Sequence, residues 1–185
     1  MPLRRVRQRG GSVTKRGNPA FGKSKNCYLF RGKPSQVIID FYEAVAECCQ
    51  CYMGTKLTSF VKDAKSIAGM GVRDWAILLE NIDEPSSERM KKDPCRSLWE
   101  PFTKLVKSSF PRLNRNAVKS LANDLHAVQD KRNPYGHPER EVLLGPRPWR
   151  EQKQDLEEMH GLVVGSKGRE SVIKQIINLF GSQQP

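Results

Sequence analysis

From Pro34 onward the apolar residues recur at steps of three and four, the spacing of amphipathic helices rather than of strands. Ile38, Phe41, Val45, Cys48 and Tyr52 form a first stripe, with Ser35 as its expected N-cap and Gly54 as its end or bend. Leu57, Phe60, Val61 and Ala64 share the face of a second stretch before Gly69 and Gly71 break it. Trp75, Leu78, Leu79 and Ile82 mark a shorter helix. Residues 83–95 are polar and bounded by prolines, the pattern of a surface loop. Leu98, Phe102, Leu105, Val106 and Phe110 then make a further stripe from about Ser97, stopped by Pro111. Pro101 fits that helix only if it lies in the first turn.

The next stripe runs Val118, Leu121, Leu125, Val128 behind an N-cap at Asn114 or Asn116. Two more helices follow, one through Trp149, Gln152, Leu156, Met159 and Val163, the other through Val172, Ile173, Ile176, Ile177 and Phe180. Strand-like alternation is scarce, and no Gly-rich phosphate loop follows a strand. The expected fold is all-α, an irregular antiparallel bundle of about five to seven helices.

Charge divides the chain in two. Of 32 basic residues, ten lie within residues 1–34, which hold no acid: Arg4, Arg5, Arg7, Arg9, Lys15, Arg16, Lys23, Lys25, Arg31 and Lys33. The remainder, with 22 basic and 20 acidic residues, is nearly neutral. A segment so rich in Gly, Ser and Arg buries too little apolar surface to fold alone. Residues 1–34 therefore read as a flexible basic arm, and residues 35–185 as one helical domain. Arg4, Arg5, Arg7, Arg9, Lys15 and Arg16 suit salt-sensitive, sequence-blind binding to a polyanion, above all nucleic acid. A nuclear or mitochondrial targeting signal is the competing explanation of the same residues.

No apolar run approaches the length of roughly eighteen residues that a membrane helix needs. The five cysteines (Cys27, Cys48, Cys49, Cys51, Cys95) lack the two separated pairs of a zinc site and read as small hydrophobes in a reducing compartment. The expectation is an intracellular protein, cytoplasmic or nuclear, with no metal and no cofactor.

The stripe of Leu121, Leu125 and Val128 meets Arg132 after four more residues, so that arginine leaves its helix on the core side. It opens the run Arg132-Asn133-Pro134-Tyr135-Gly136-His137. Arginine clamps phosphate oxygens through a planar fork of donors. Histidine exchanges protons near neutral pH. Pro134 disfavours helical geometry at Asn133, and Gly136 permits a sharp turn before His137. Tyr135 either stacks on a base or packs on its own helix. Another reading leaves Arg132 as a helix-terminal cation and His137 as a turn residue. His126 and His160 fall within helical segments and read as structural or solvated.

Arg132, Asn133 and His137, with four residues between the arginine and the histidine, resemble the signature of the HEPN domains. The longer layout is similar too: Asp93, Leu98, Trp99, Phe102 and Leu105 on one helix, then Leu121, Leu125 and Val128 leading into Arg132. It resembles the subgroup named for a fungal transcription-linked endoribonuclease, over roughly residues 36–181. The resemblance implies a metal-independent endoribonuclease acting on RNA as a homodimer with a composite site. Arg132 would hold the scissile phosphate, His137 would be general acid or base, and Asn133 would orient either one. The expected products are a 2′,3′-cyclic phosphate and a 5′-hydroxyl, and the settings implied are defence or RNA surveillance, with a regulatory protein partner in some. Two other functions fit the same residues: a non-catalytic module binding RNA or protein through that groove, and a nucleic-acid binder that works through its arm alone.

Overall fold

The structure, a computed structural model, describes residues 33–86, 88–137, 145 and 147–181. The basic residues from Arg4 to Arg31 and Cys27 lie outside the described residues. Among the described residues the fold is all-α, with no strand beyond an isolated bridge between Ser166 and Arg169.

Helix α1 spans Pro34–Cys49. Pro34 opens it, at a position where its missing N–H has no intrahelical partner to lose, so Ser35 lies inside the first turn rather than capping it. Gly54 does not end the helix. The backbone widens into a π turn over Gln50–Gly54 and resumes as α-helix over Thr55–Leu57. Cys49, Met53 and Leu57 are all fully buried at steps of four, which overshoot an α-helical turn of about 3.6 residues. The wider turn takes up the excess and holds all three on the core face. Gly54 leaves room for the Gln50 side chain, whose Nε2 donates to the carbonyls of Ile67 (2.8 Å) and Met70 (3.3 Å).

The helix predicted through Leu57, Phe60, Val61 and Ala64 is absent. Leu57 closes α1, a short 3-10 turn covers Thr58–Phe60, and Val61 is extended, with Phe60 37% exposed. Helix α2 is a single turn, Lys65–Ala68, and α3 spans Val72–Glu80 with Trp75 fully buried. The segment expected as a surface loop carries a 3-10 turn, Glu88–Lys91, and buries Met90. Helix α4, Cys95–Ser109, starts two residues earlier than Ser97. Pro101 therefore falls beyond the first turn, where its ring removes the bond to the Ser97 carbonyl.

Helix α5, Arg115–Arg132, is capped by Asn114, whose side chain accepts from the N–H groups of Asn116 and Ala117 at 3.0 and 3.2 Å. A 3-10 turn, Asn133–Tyr135, continues it. Helices α6 (Trp149–Val163) and α7 (Val172–Ile176, followed by a π turn Ile177–Gly181) complete the fold. Gly165, with φ +91°, terminates the chain path out of α6, and Arg169 and Gln175 tie the return to Asp124 of α5 at 2.5 and 2.9 Å.

Helix α5 is central. It packs most extensively on α3 and also touches α1, α6 and α7, while α1 lies along α6. Val118, Leu121, Leu125 and Val128 are all fully buried, as their phasing predicts. Trp149 departs from the pattern: it shares the α6 spacing but is 62% exposed, because the first turn of that helix projects past the core. Cys48, Cys49 and Cys95 are free and buried, whereas Cys51 is exposed. Burial above all pushes the thiols of Cys48 and Cys95 up to about 11 and about 12, which suits packing rather than nucleophilic attack. Among the described residues no helix is long and apolar enough to cross a membrane.

Candidate functional site

The α5 stripe delivers Arg132 to the end of the helix, half-buried, against α1. Its guanidinium carbon stands 5.1 Å from the centroid of the Tyr42 ring. A cation in this position over a phenol gains about 0.5–2 kcal/mol. The same guanidinium lies over Gly136, in the space a Cβ would fill. Gly136 is thus required for close approach. Its backbone, at φ −91° and ψ 0°, is open to any residue. The Nε of Arg132 is shielded and has no hydrogen-bond partner, and no carboxylate of the described residues pairs with the group.

Asn133 is helical, at φ −51° and ψ −43°, contrary to the extended geometry expected before Pro134. The proline restriction is a preference of modest size, and three bonds outweigh it. The Asn133 N–H donates to the Gln129 carbonyl, Gln129 Nε2 donates to Asn133 Oδ1 at 2.6 Å, and Gly136 N–H closes the 3-10 turn onto Asn133. With its oxygen occupied, the Asn133 side chain keeps its amide nitrogen as a donor.

Tyr135 is anchored from α6. Its hydroxyl donates to Asp155 Oδ2 at 2.6 Å. Asp155, only 7% exposed, also takes Arg147 at 3.1 Å and Lys131 at 3.3 Å. Arg147 pairs further with Glu151 at 3.3 Å, and Lys131 with Glu158. Burial and the Asp155 carboxylate together push the Tyr135 phenol well above its ordinary range, so it stays a donor. Lys131 is raised chiefly by Glu158, and Glu158 is lowered chiefly by Lys131. Arg147 also stands 5.9 Å from the Tyr135 ring centroid. The packing expected of Tyr135 is against its own helix, whereas its hydroxyl buckles the motif turn to α6.

His137 follows directly and is exposed. Arg132, Asn133, Tyr135 and His137 therefore share the C-terminal end of α5, while Arg4, Arg5, Arg7, Arg9, Lys15 and Arg16 lie outside the described residues. The other histidines belong to the frame. His160 is buried with its ring edge-on to Phe41 at 6.1 Å, and His126 stands 3.5 Å from Glu80. Among the described residues no group of three or more His, Cys, Asp or Glu side chains is placed to hold a metal ion.

Four residues that position the motif escaped the sequence reading: Tyr42, Gln129, Arg147 and Asp155. Asp155 did carry a signal. It sits three residues after Gln152 and beside Leu156, in phase with the buried stripe of α6, where a carboxylate needs partners. Compared with family models, curated proteins and solved structures, the chain matches none of them.

Proposed function

We propose that the chain is a metal-independent endoribonuclease of HEPN type, cleaving RNA by attack of the ribose 2′-hydroxyl on the adjacent phosphate, with two copies pairing around a composite site. The observation that carries this reading is Arg132: a half-buried guanidinium seated on Tyr42 and Gly136, with no carboxylate of the described residues to neutralise it. A phosphate supplies the missing charge and accepts from its fork of donors.

The chemistry needs no further nucleophile. The 2′-oxygen bonds to phosphorus as its proton passes to a base, and the bond to the 5′-oxygen breaks as that oxygen takes a proton. The products are a 2′,3′-cyclic phosphate and a 5′-hydroxyl. His137, exposed and next in the chain after Gly136, exchanges these protons. Arg132 and the Asn133 amide nitrogen stabilise the charge that builds on the phosphoryl oxygens.

The test is cleavage of single-stranded RNA in EDTA by wild type and by His137→Ala, with analysis of product ends. Wild type is expected to give cyclic phosphate ends, and the variant none, while RNA affinity persists. Activity that survives in the variant, or that needs a divalent ion, sinks the mechanism. Wild type that binds through Arg132 without cutting makes the domain a non-catalytic RNA-binding module instead.

A further inference from the structure

Trp149 is the most exposed large apolar side chain among the described residues, at 62% against 37% for Phe60 and 39% for Ile177. Single exposed aliphatic residues are ordinary on protein surfaces, but an indole left in water forgoes one of the largest apolar burials a residue offers. Its place is equally telling. It is the first residue of α6, two positions after Arg147, whose guanidinium lies beside the ring of Tyr135 in the motif turn. Gln152 Nε2 donates to the Arg147 carbonyl at 2.6 Å and fixes the entry to the helix. Trp149 therefore opens the helix whose entry is fixed at Arg147 and whose Asp155 anchors the motif turn.

The charges around it favour an anion. Arg150 and Lys153 are exposed and unpaired among the described residues, while Glu151 on the same turn is engaged by Arg147, and Asp155 is neutralised by Lys131 and Arg147. An aromatic face flanked by free cations matches unpaired nucleic acid, which offers a stackable base and a phosphate together. A protein partner that covered the indole would have to bury Arg150 beside it, at a desolvation cost unless it brought a carboxylate. The basic arm adds attraction for the same polyanion.

We infer that Trp149 is a base-stacking platform for single-stranded RNA, with Arg150 and Lys153 holding the flanking phosphates. This rests on the RNA-binding part of the proposed function but not on cleavage.

The experiment titrates the full chain with a fluorescently labelled 2′-fluoro oligouridylate, which cannot be cut by 2′-hydroxyl attack. A strand of equal length with abasic sugars is run in parallel. Trp149→Ala is expected to weaken binding of the base-bearing strand roughly 5- to 100-fold, and Trp149→Phe to restore most of it. The abasic strand should bind wild type and Trp149→Ala alike. Equal affinity of wild type and Trp149→Ala for the base-bearing strand overturns the inference. So does an equal loss on both strands, which marks a charge or folding effect. A third overturning result is a Trp149→Ala protein that changes oligomeric state in sedimentation while keeping its RNA affinity, which makes the indole a contact between copies. If wild type fails to cleave RNA yet Trp149→Ala shows the base-dependent loss, the ribonuclease mechanism falls and the stacking platform stands.

Discussion

Arg132 and Arg147 are both half-buried cations set beside a tyrosine ring, yet among the described residues only one meets a counter-charge. Arg147 reaches Glu151 and Asp155 and stands 5.9 Å from Tyr135; Arg132 stands 5.1 Å from Tyr42 and meets no carboxylate of the described residues. The first is spent on architecture. It neutralises a buried carboxylate, and that carboxylate holds the motif turn through the Tyr135 hydroxyl. Both carry a shielded Nε without a hydrogen-bond partner, so what separates them is the counter-charge and not the satisfaction of that nitrogen. Among the described residues Arg132 thus keeps a charge that no carboxylate meets, and the proposed function spends it on a phosphate.

The sharpest way to break this contrast is to remove each arginine in turn. Arg132→Ala is expected to lower RNA cleavage by about 100- to 1000-fold, roughly 3–4 kcal/mol of transition-state stabilisation, with little change in thermal stability. Arg147→Ala should do the reverse, with loss of about 1–2 kcal/mol of stability and a rate within a few-fold of wild type. The same chain measured by single-turnover cleavage and by urea denaturation decides the matter. Equal damage to rate and stability in both variants would dissolve the distinction.

Asp155→Asn tests the paired side alone. It leaves Lys131 and Arg147 short of a counter-charge and weakens the acceptor for Tyr135, at a cost of about 2 kcal/mol in urea denaturation. The figure is below that for a fully enclosed pair because both cations are about a third exposed. Gly136→Ala tests the unpaired side alone. Its Cβ occupies the seat of the Arg132 guanidinium, which must swing away. Because the group that moves is the far end of a flexible chain, stability should hold while cleavage falls about tenfold, roughly 1.4 kcal/mol. A Gly136→Ala protein with wild-type rate shows that this seat does not matter to the chemistry.

How far this was legible beforehand follows from the range of the interactions. Val118, Leu121, Leu125 and Val128 announce the buried face of α5 because helical phase is local, and the same phase carries Arg132 inward. Local phase fails where an element stops. Phe60, Val61 and Ala64 keep helical spacing with Leu57 across a chain that leaves α1 at that residue, and Trp149 keeps it at a turn with no core beneath. The partners of the motif come from elsewhere: Tyr42 lies 90 residues before Arg132 and Asp155 20 residues after Tyr135. Pairings between separate helices leave no spacing to read. Gly136 was legible as a necessary glycine but for another reason, a turn rather than a seat for a guanidinium.

The smallest effect expected tests the paired side by pH. The folded-state pKa of Tyr135 is raised above its ordinary value near 10 by burial and by Asp155, and that of Lys131 above 10.5 chiefly by Glu158. Stability from a raised pKa is fully present below the unfolded value and is lost as pH climbs through the folded one. Glu158 is lowered from 4.5, so its share is present above that value and is lost as pH falls through the folded one. The buckle should therefore give a flat stability plateau between about pH 5 and pH 10, with the alkaline side set by Tyr135 and Lys131. Tyr135 should ionise above the ordinary phenol range by absorbance at 295 nm. Tyr135→Phe should remove that late step and make the alkaline fall in Tm gentler by about 2 °C. A Tyr135 that ionises in the ordinary phenol range shows the hydroxyl is not held by Asp155, and the turn presenting Arg132 loses its anchor.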